Sequence, residues 1–277
     1  MISINKLHFS YKKTPVFSGI SATMKSGHIY GVLGRNGTGK STLLYTIAGL
    51  VCPQRGEVNV NGFTPFRRDA TFLQNIFLVP EEFYLPDISI PNLIKYYSPF
   101  YPAFDQPSFH QYISQFDIPA DATLLSMSYG QKKKVLISFA LATNTQTLLM
   151  DEPTNGLDLI SKGQLRKIIA GAITEHKCFI ISTHQVKDLE NLIDDVVILN
   201  DTRILFNENL GKVSKKLSFQ ISFEPEYGEE IIYQEPLLRG SAIVKRNLDN
   251  EESRIDLELL YKAAMSDSER VQSILEI

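Results

Sequence analysis

A chain of 277 residues that is 43 % hydrophobic has the apolar content for a full core, and its formal charge of −3 excludes the strongly basic stripe of a nucleic-acid binder. No apolar run reaches the roughly 18 residues of a membrane span, and the opening MISINKLHFSY alternates apolar and polar residues instead of forming an export signal. Cys52 and Cys178 stand far apart without metal-ligand spacing, which predicts buried small side chains in a reducing compartment, the cytoplasm.

In chain order, short apolar strands alternate with amphipathic helices over residues 1–216, the pattern of a parallel α/β sheet. HIYGVLG (28–34) reads as a strand running into a glycine loop, and KSTLLYTIAGL (40–50) as the helix that follows. The loop between them, GRNGTGKS (34–41), matches G-x-x-x-x-G-K-[ST] without a gap. Glycines let backbone N–H groups converge on phosphate oxygens, and a helix N-terminus adds its dipole. Lys40 is therefore expected to meet the β- and γ-phosphates and Ser41 to ligate Mg²⁺.

From 83 to 118 the texture changes to aromatics and prolines, as in YYSPFYPAF, and predicts a helical insertion whose aromatics are either core or a docking groove. MSYGQKKK (127–134) then opens another helix with Ser128 and Gly130 at its start and three lysines behind them. Cations near a helix N-terminus oppose its dipole unless negative charge docks close by. The stretch is either a second anion cradle or a capped surface helix with solvated lysines.

TLLMDE (147–152) and CFIISTH (178–184) read as buried strands, each delivering polar residues to its end, where open α/β sheets gather ligands. Asp151 suits a second Mg²⁺ ligand and Glu152 the polarisation of an attacking water. His184, at the same sheet edge, is expected near the γ-phosphate. His8, His28, His110 and His176 read as solvated turn residues. GQLRKIIAGAI (163–173) places Leu165, Ile168, Ile169, Ala172 and Ile173 on one helical face.

Residues 1–216 hold 22 Lys+Arg against 18 Asp+Glu, whereas residues 217–277 hold 6 against 13, so a small acidic unit is expected from 217. Within it LSFQISF and SAIVKRNL alternate like strands and DLELLYKAAM reads as a helix. Its role is open among dimer contact, regulation and plain packing.

Taken together, these segments resemble the ATP-binding subunits of ABC transporters: GRNGTGKST looks like Walker A, MSYGQ like the LSGGQ signature, LLMDEP like Walker B, NGLD like the D-loop and STH like the histidine switch. The resemblance implies a P-loop cassette over 1–216 with a mainly parallel core sheet, an N-terminal antiparallel β part, a helical subdomain at about 83–145, and a small α+β appendage over 217–277. It implies ATP and Mg²⁺ as cofactors, with Tyr11 stacking on adenine and Gly34, Asn36, Gly37, Gly39, Lys40, Ser41 and Thr42 around the phosphates. Ser128, Gly130 and Gln131, with Asp158, would cap the ATP of a second, head-to-tail ATP-binding subunit. Asp158 is equally suited to N-capping the next helix.

Catalysis would rest on Glu152, His184 and Lys40, and the metal on Ser41, Asp151 and Glu81. The chain departs from the family's pattern at three places: Tyr129 replaces a signature glycine, Glu81 a glutamine, and Asn155 with Gly156 the usual small pair. The further expected partner is an integral membrane permease, with the chain peripheral on the cytoplasmic face and no nucleic acid bound. Glu81 and the short C-terminal unit incline the reading to the exporter-like branch with separate permeases. The rival is a soluble ABC ATPase for assembly or regulation, which a permease reading frame beside the gene would argue against.

Overall fold

The computed structural model describes residues 1–224, 227–249 and 251–276. The chain opens with β1 (Ile2–Tyr11) and β2 (Thr14–Met24), an antiparallel pair. It passes through β3 (His28–Leu33) and α1 (Lys40–Ile47) to β4 (Arg55–Val60), which returns antiparallel to β1 and completes a three-stranded sheet. After α2 (Ala70–Gln74) and β5 (Ile76–Val79) come the helices α3 (Ile90–Tyr97), α4 (Gln106–Gln115) and α5 (Tyr129–Ala142). The chain then alternates through β6 (Thr147–Asp151), α6 (Leu159–Ala172), β7 (Cys178–Thr183), β8 (Asp195–Asn200) and β9 (Arg203–Asn209).

The main sheet has the order β5-β6-β7-β3-β8-β9, parallel throughout except for β9, which runs antiparallel to β8. Parallel strands covered on both faces read as continuous apolar runs, and side-chain alternation assigns each residue to a layer. Leu148, Met150, Phe179 and Ile181 face the core shared with α3–α6, whereas Leu149, Ile180, Tyr30 and Val32 face the core shared with α1 and the antiparallel sheet. The mainly parallel sheet with its N-terminal antiparallel part is the expected architecture.

The 83–118 stretch is helical, and its aromatics divide. Phe109 is fully buried and, with Phe104, packs around Phe139, while Tyr84, Tyr96 and Phe100 are exposed. On α6 the expected face is buried at Leu165, Ile168, Ile169 and Ala172, but the helix ends before Ile173.

Downstream lie α7 (Leu210–Lys216), β10 (Leu217–Ser222), β11 (Ile231–Pro236), β12 (Ser241–Arg246), α8 (Leu257–Ser266) and α9 (Ser268–Glu276), with an antiparallel sheet of order β10-β12-β11. Val244, Leu260 and Val271 belong to one continuous core with Leu165 and Ile193. Asp256 caps α8 by accepting from Leu259 N–H at 3.0 Å.

Three histidines and one cysteine differ from expectation. His8 lies within β1, His28 opens β3 with its Nδ1 2.7 Å from Asp195, and His110 sits in α4 beside Gln106. A strand or helix has claimed each of them, and only His176 is an exposed turn residue. Cys178 is buried, which pushes its thiol up to about 12, but Cys52 is exposed. No helix among the described residues is long and apolar enough to cross a membrane.

Candidate active site

The C-terminal ends of β3, β5, β6 and β7 lie side by side because the strands are parallel, so the loops after them converge on one edge. There they form a pocket of about 450 Å³ lined by Tyr11, Asn36, Gly37, Gly39, Lys40, Ser41, Thr42, Glu81, Glu152 and His184, among others. Ten residues drawn from five separate stretches of sequence thus meet in one cavity. Gly34, Asp151, Ser128, Gly130, Gln131 and Asp158 do not line it.

The first loop is shaped for an anion. Gly39, at the N-cap of α1, has φ 99°, and a Cβ there would stand 2.7 Å from Val16 Cγ1 and 2.9 Å from Phe17 Cε1. Only glycine tolerates both the backbone angle and the approach. No side chain caps the helix, so its first N–H groups are left for a ligand. Lys40 is 6 % exposed and its Nζ donates to the carbonyls of Gly34 at 2.9 Å and Arg35 at 3.2 Å. Burial lowers its pKa from the ordinary lysine value, opposed by the charges of Glu152, Asp151 and Glu81.

Glu152 is buried with φ 45°, a left-handed conformation that is strained for a side-chain-bearing residue. Its Oε1 accepts from His184 N–H at 2.9 Å and contacts His184 Nδ1 at 2.8 Å, while Oε2 accepts from Thr183 Oγ1 at 3.0 Å. With a carboxylate as neighbour, Nδ1 is the protonated ring nitrogen. Lys40 Nζ stands 3.8 Å from the same Oε1. Asp151 is 1 % exposed; Oδ1 accepts from Ser182 Oγ, and Oδ2 has no partner. A buried carboxylate oxygen without a donor is costly unless a ligand completes it.

The start of α5 lies outside this pocket. Ser128 is exposed and N-caps α5 in a full capping box: its Oγ accepts from Gln131 N–H at 3.3 Å, and Gln131 Oε1 accepts from Ser128 N–H at 3.0 Å. The box occupies the hydroxyl as an acceptor and leaves its hydrogen to donate. A Cβ on Gly130 would lie 2.8 Å from the Gly156 carbonyl, so this turn of α5 rests directly on the backbone after β6. Asp158 N-caps α6, accepting from Ser161 N–H at 2.9 Å and Ser161 Oγ at 2.6 Å, and both bonds hold its carboxyl below the usual range.

One residue whose place sequence reasoning missed is built into this edge. Lys133, read there as one of three equivalent lysines, is fully buried and donates to the carbonyls of Glu152 at 2.7 Å and Asn155 at 3.1 Å. Asn155 Nδ2 in turn donates to Glu81 Oε1 at 3.0 Å. Tyr129 turns its ring onto Phe83 at a centroid distance of 5.0 Å and donates its hydroxyl to the Glu81 carbonyl at 2.5 Å. The three departures from the family's pattern are therefore in contact with one another. The spacing of Lys133 from Leu136 and Ile137 on the buried side of α5 was the readable signal for its burial.

Residues 17–155 match the family model described as ABC transporter. The chain is 25 % identical over 230 residues to the ABC transporter ATP-binding protein YtrB of Bacillus subtilis (strain 168), covering 82 % of this chain and 78 % of the relative. It is 30 % identical over 212 residues to the bacitracin transport ATP-binding protein BcrA of Bacillus licheniformis, covering 73 % and 69 %. Among solved structures, a dimeric ATP-binding cassette in a post-hydrolysis state bound to ADP and Pi matches with a TM-score of 0.66 at 21 % identity over 76 % of this chain and 99 % of that one, a likeness of fold.

Proposed function

This chain belongs to the ABC transporter family, and on that premise we propose that it is the ATP-binding and ATP-hydrolysing subunit that powers transport through a separate membrane permease. The observation that carries the reading is the convergence of Lys40, Ser41, Glu81, Glu152 and His184 around one pocket beside an uncapped helix N-terminus. Tyr11, at the mouth of that pocket and 49 % exposed, is suited to stack on the adenine.

The donor set fits Mg²⁺. The ion favours one or two carboxylates plus substrate phosphates, and Asp151 presents a buried oxygen without a partner. Ser41 and Asp151 would hold it, with Glu81 close by; when bound, it would supply neutralisation of the phosphate charge. The chain's own residues do the rest. Lys40 donates to the phosphate oxygens from a water-poor site where such contacts count most. Glu152 orients and takes a proton from the attacking water. His184, anchored on Glu152 through its backbone N–H, lines the pocket where the γ-phosphate would lie.

The exposed Ser128 and the α5 N-terminus support an assignment to the ATP of a second subunit, with Gly130, Gln131 and Asp158 at the same interface. In this reading the chain works as a dimer at the cytoplasmic face of the membrane, closing on ATP and reopening after hydrolysis. For the permease, the best-suited surface is an apolar groove of about 460 Å³ lined by Leu50, Leu73, Phe77, Pro99, Phe100 and Tyr101, with Arg68 at its edge. Phe100 is 67 % and Leu50 57 % exposed, apolar area that a partner helix would cover.

Co-expression with its permease is expected to give a membrane-bound complex that releases phosphate from ATP. Cysteine cross-linkers placed at Leu50 and Phe100 should reach the permease. Cross-links confined to residues 217–277, or a complex without turnover, would refute the reading.

A further inference from the structure

Helix α5 carries Ser128 at its first turn and, one turn later, a lysine that the proposed reaction does not use. Lys133 has no exposed surface, yet it bears a cation whose only hydrogen-bond acceptors among the described residues are the carbonyls of Glu152 and Asn155. Burying an ammonium is unfavourable unless it is compensated. Here the compensation is those two carbonyls, the Tyr129 ring at 6.0 Å, and the nearby charges of Glu81, Glu152 and Asp151. A leucine or methionine would fill the same space without that desolvation, so packing alone does not account for the residue.

What the ammonium grips is the backbone of Glu152 in its left-handed conformation. Such a conformation persists only when its surroundings over-determine it. The Glu152 N–H is taken by the Ser182 carbonyl at 3.1 Å and its side chain by Thr183 and His184, all from the β7 side. On the opposite side the Glu152 carbonyl accepts from the Asn155 N–H at 3.2 Å and, more closely, from Lys133, the side-chain hold there. It also closes the turn that follows, because the Asn155 carbonyl it binds belongs to the residue whose amide reaches Glu81.

We propose that Lys133 is a positioning residue for Glu152: its ammonium fixes the backbone from which the carboxylate projects, so the helix that caps one nucleotide aims the acid that acts on the other. The inference rests on the reading of Glu152 as the group that activates water. It gives the two cradles a mechanical link inside one chain, since any displacement of α5 at Ser128 is delivered to Glu152 through Lys133, five residues further along the helix.

The test is a double-mutant cycle in the transport complex, with phosphate release and binding of a fluorescent ATP analogue as readouts. Lys133→Met is expected to lower kcat about 10- to 100-fold, the scale of a small misplacement of a reacting group, with KM for ATP and analogue binding within about twofold of wild type. In a Glu152→Gln background, where the carboxylate is already gone, Lys133→Met should change the residual turnover by less than about twofold. An equal loss in both backgrounds, or an unchanged kcat in the first, overturns the proposal. If Lys133→Met fails to fold, Lys133→Gln carries the same cycle, keeping one amide donor and lowering kcat only where Glu152 is present; additivity there overturns the proposal too. Wild-type turnover by Glu152→Gln alone would instead refute the reading of Glu152, and the proposal with it.

Discussion

Lys40→Ala is expected to abolish measurable ATP turnover and to weaken nucleotide binding in a protein that still folds. The ammonium is held by two loop carbonyls and stands over the pocket floor at 6 % exposure, so its charge is poorly screened by water. Removing one preorganised donor from a charged transition state typically lowers kcat about 10²–10³-fold. Lys40 Nζ also stands 3.8 Å from the Glu152 carboxylate, so its loss removes a counter-charge from that carboxylate as it faces the phosphates. Phosphate release and equilibrium binding of a fluorescent nucleotide check the result, with circular dichroism to show that the fold survives. Turnover near wild type would remove the phosphate role assigned to this loop.

The second large effect is expected from Glu152→Gln, a fall in turnover of about 10²–10⁴-fold, the usual contribution of a positioned general base. An amide keeps an oxygen to accept from His184 N–H, and its NH2 can donate to Thr183 Oγ1 in place of the bond that Oε2 accepts, so the local structure should persist. It cannot take a proton. ATP binding should therefore be retained while hydrolysis stops, a separation of the two that distinguishes a base from a binding residue. Equal loss of binding and turnover would assign Glu152 a structural task instead.

The parts of the site that lie within single stretches were legible in the sequence. Gly34 to Thr42 form one loop and helix start whose residue types follow from phosphate chemistry, and Asp151, Glu152 and His184 stand at the ends of strands whose apolar runs are continuous. The parallel sheet itself followed from strands buried on both faces. What the sequence concealed were contacts made across the fold. Tyr129 and Glu81 are 48 residues apart, and Asn155 and Glu81 are 74 apart. Nothing local in either segment announces the other. Lys133 was hidden by its neighbours: three adjacent lysines read as one solvated face, although helical geometry turns the middle one inward.

The histidines show the opposite error. His28 was grouped with the solvated turn residues although the strand HIYGVLG already began with it; it opens β3 and pairs with Asp195 across to β8. Strand β11 and helix α9 were passed over as well. Val271 and Leu275, four residues apart in a polar helix, bury one narrow stripe against the core, a pattern too short to stand out within an acidic segment.

The most direct measurement of the two-cradle arrangement is the size of the Glu152→Gln subunit in solution. With Mg²⁺ and ATP it should elute as a dimer, and with ADP as a monomer, if, as proposed, the triphosphate bridges the P-loop of one subunit to the signature of the other. Adding Ser128→Glu places a carboxylate where the partner's γ-phosphate would dock, and like charges in a water-poor interface repel strongly. The ATP-dependent dimer should vanish while ATP binding by the monomer stays within about twofold of the parent, since its own pocket is untouched. Loss of ATP binding by a folded Ser128→Glu monomer would mean that the signature serves its own chain's nucleotide, and would contradict the arrangement outright.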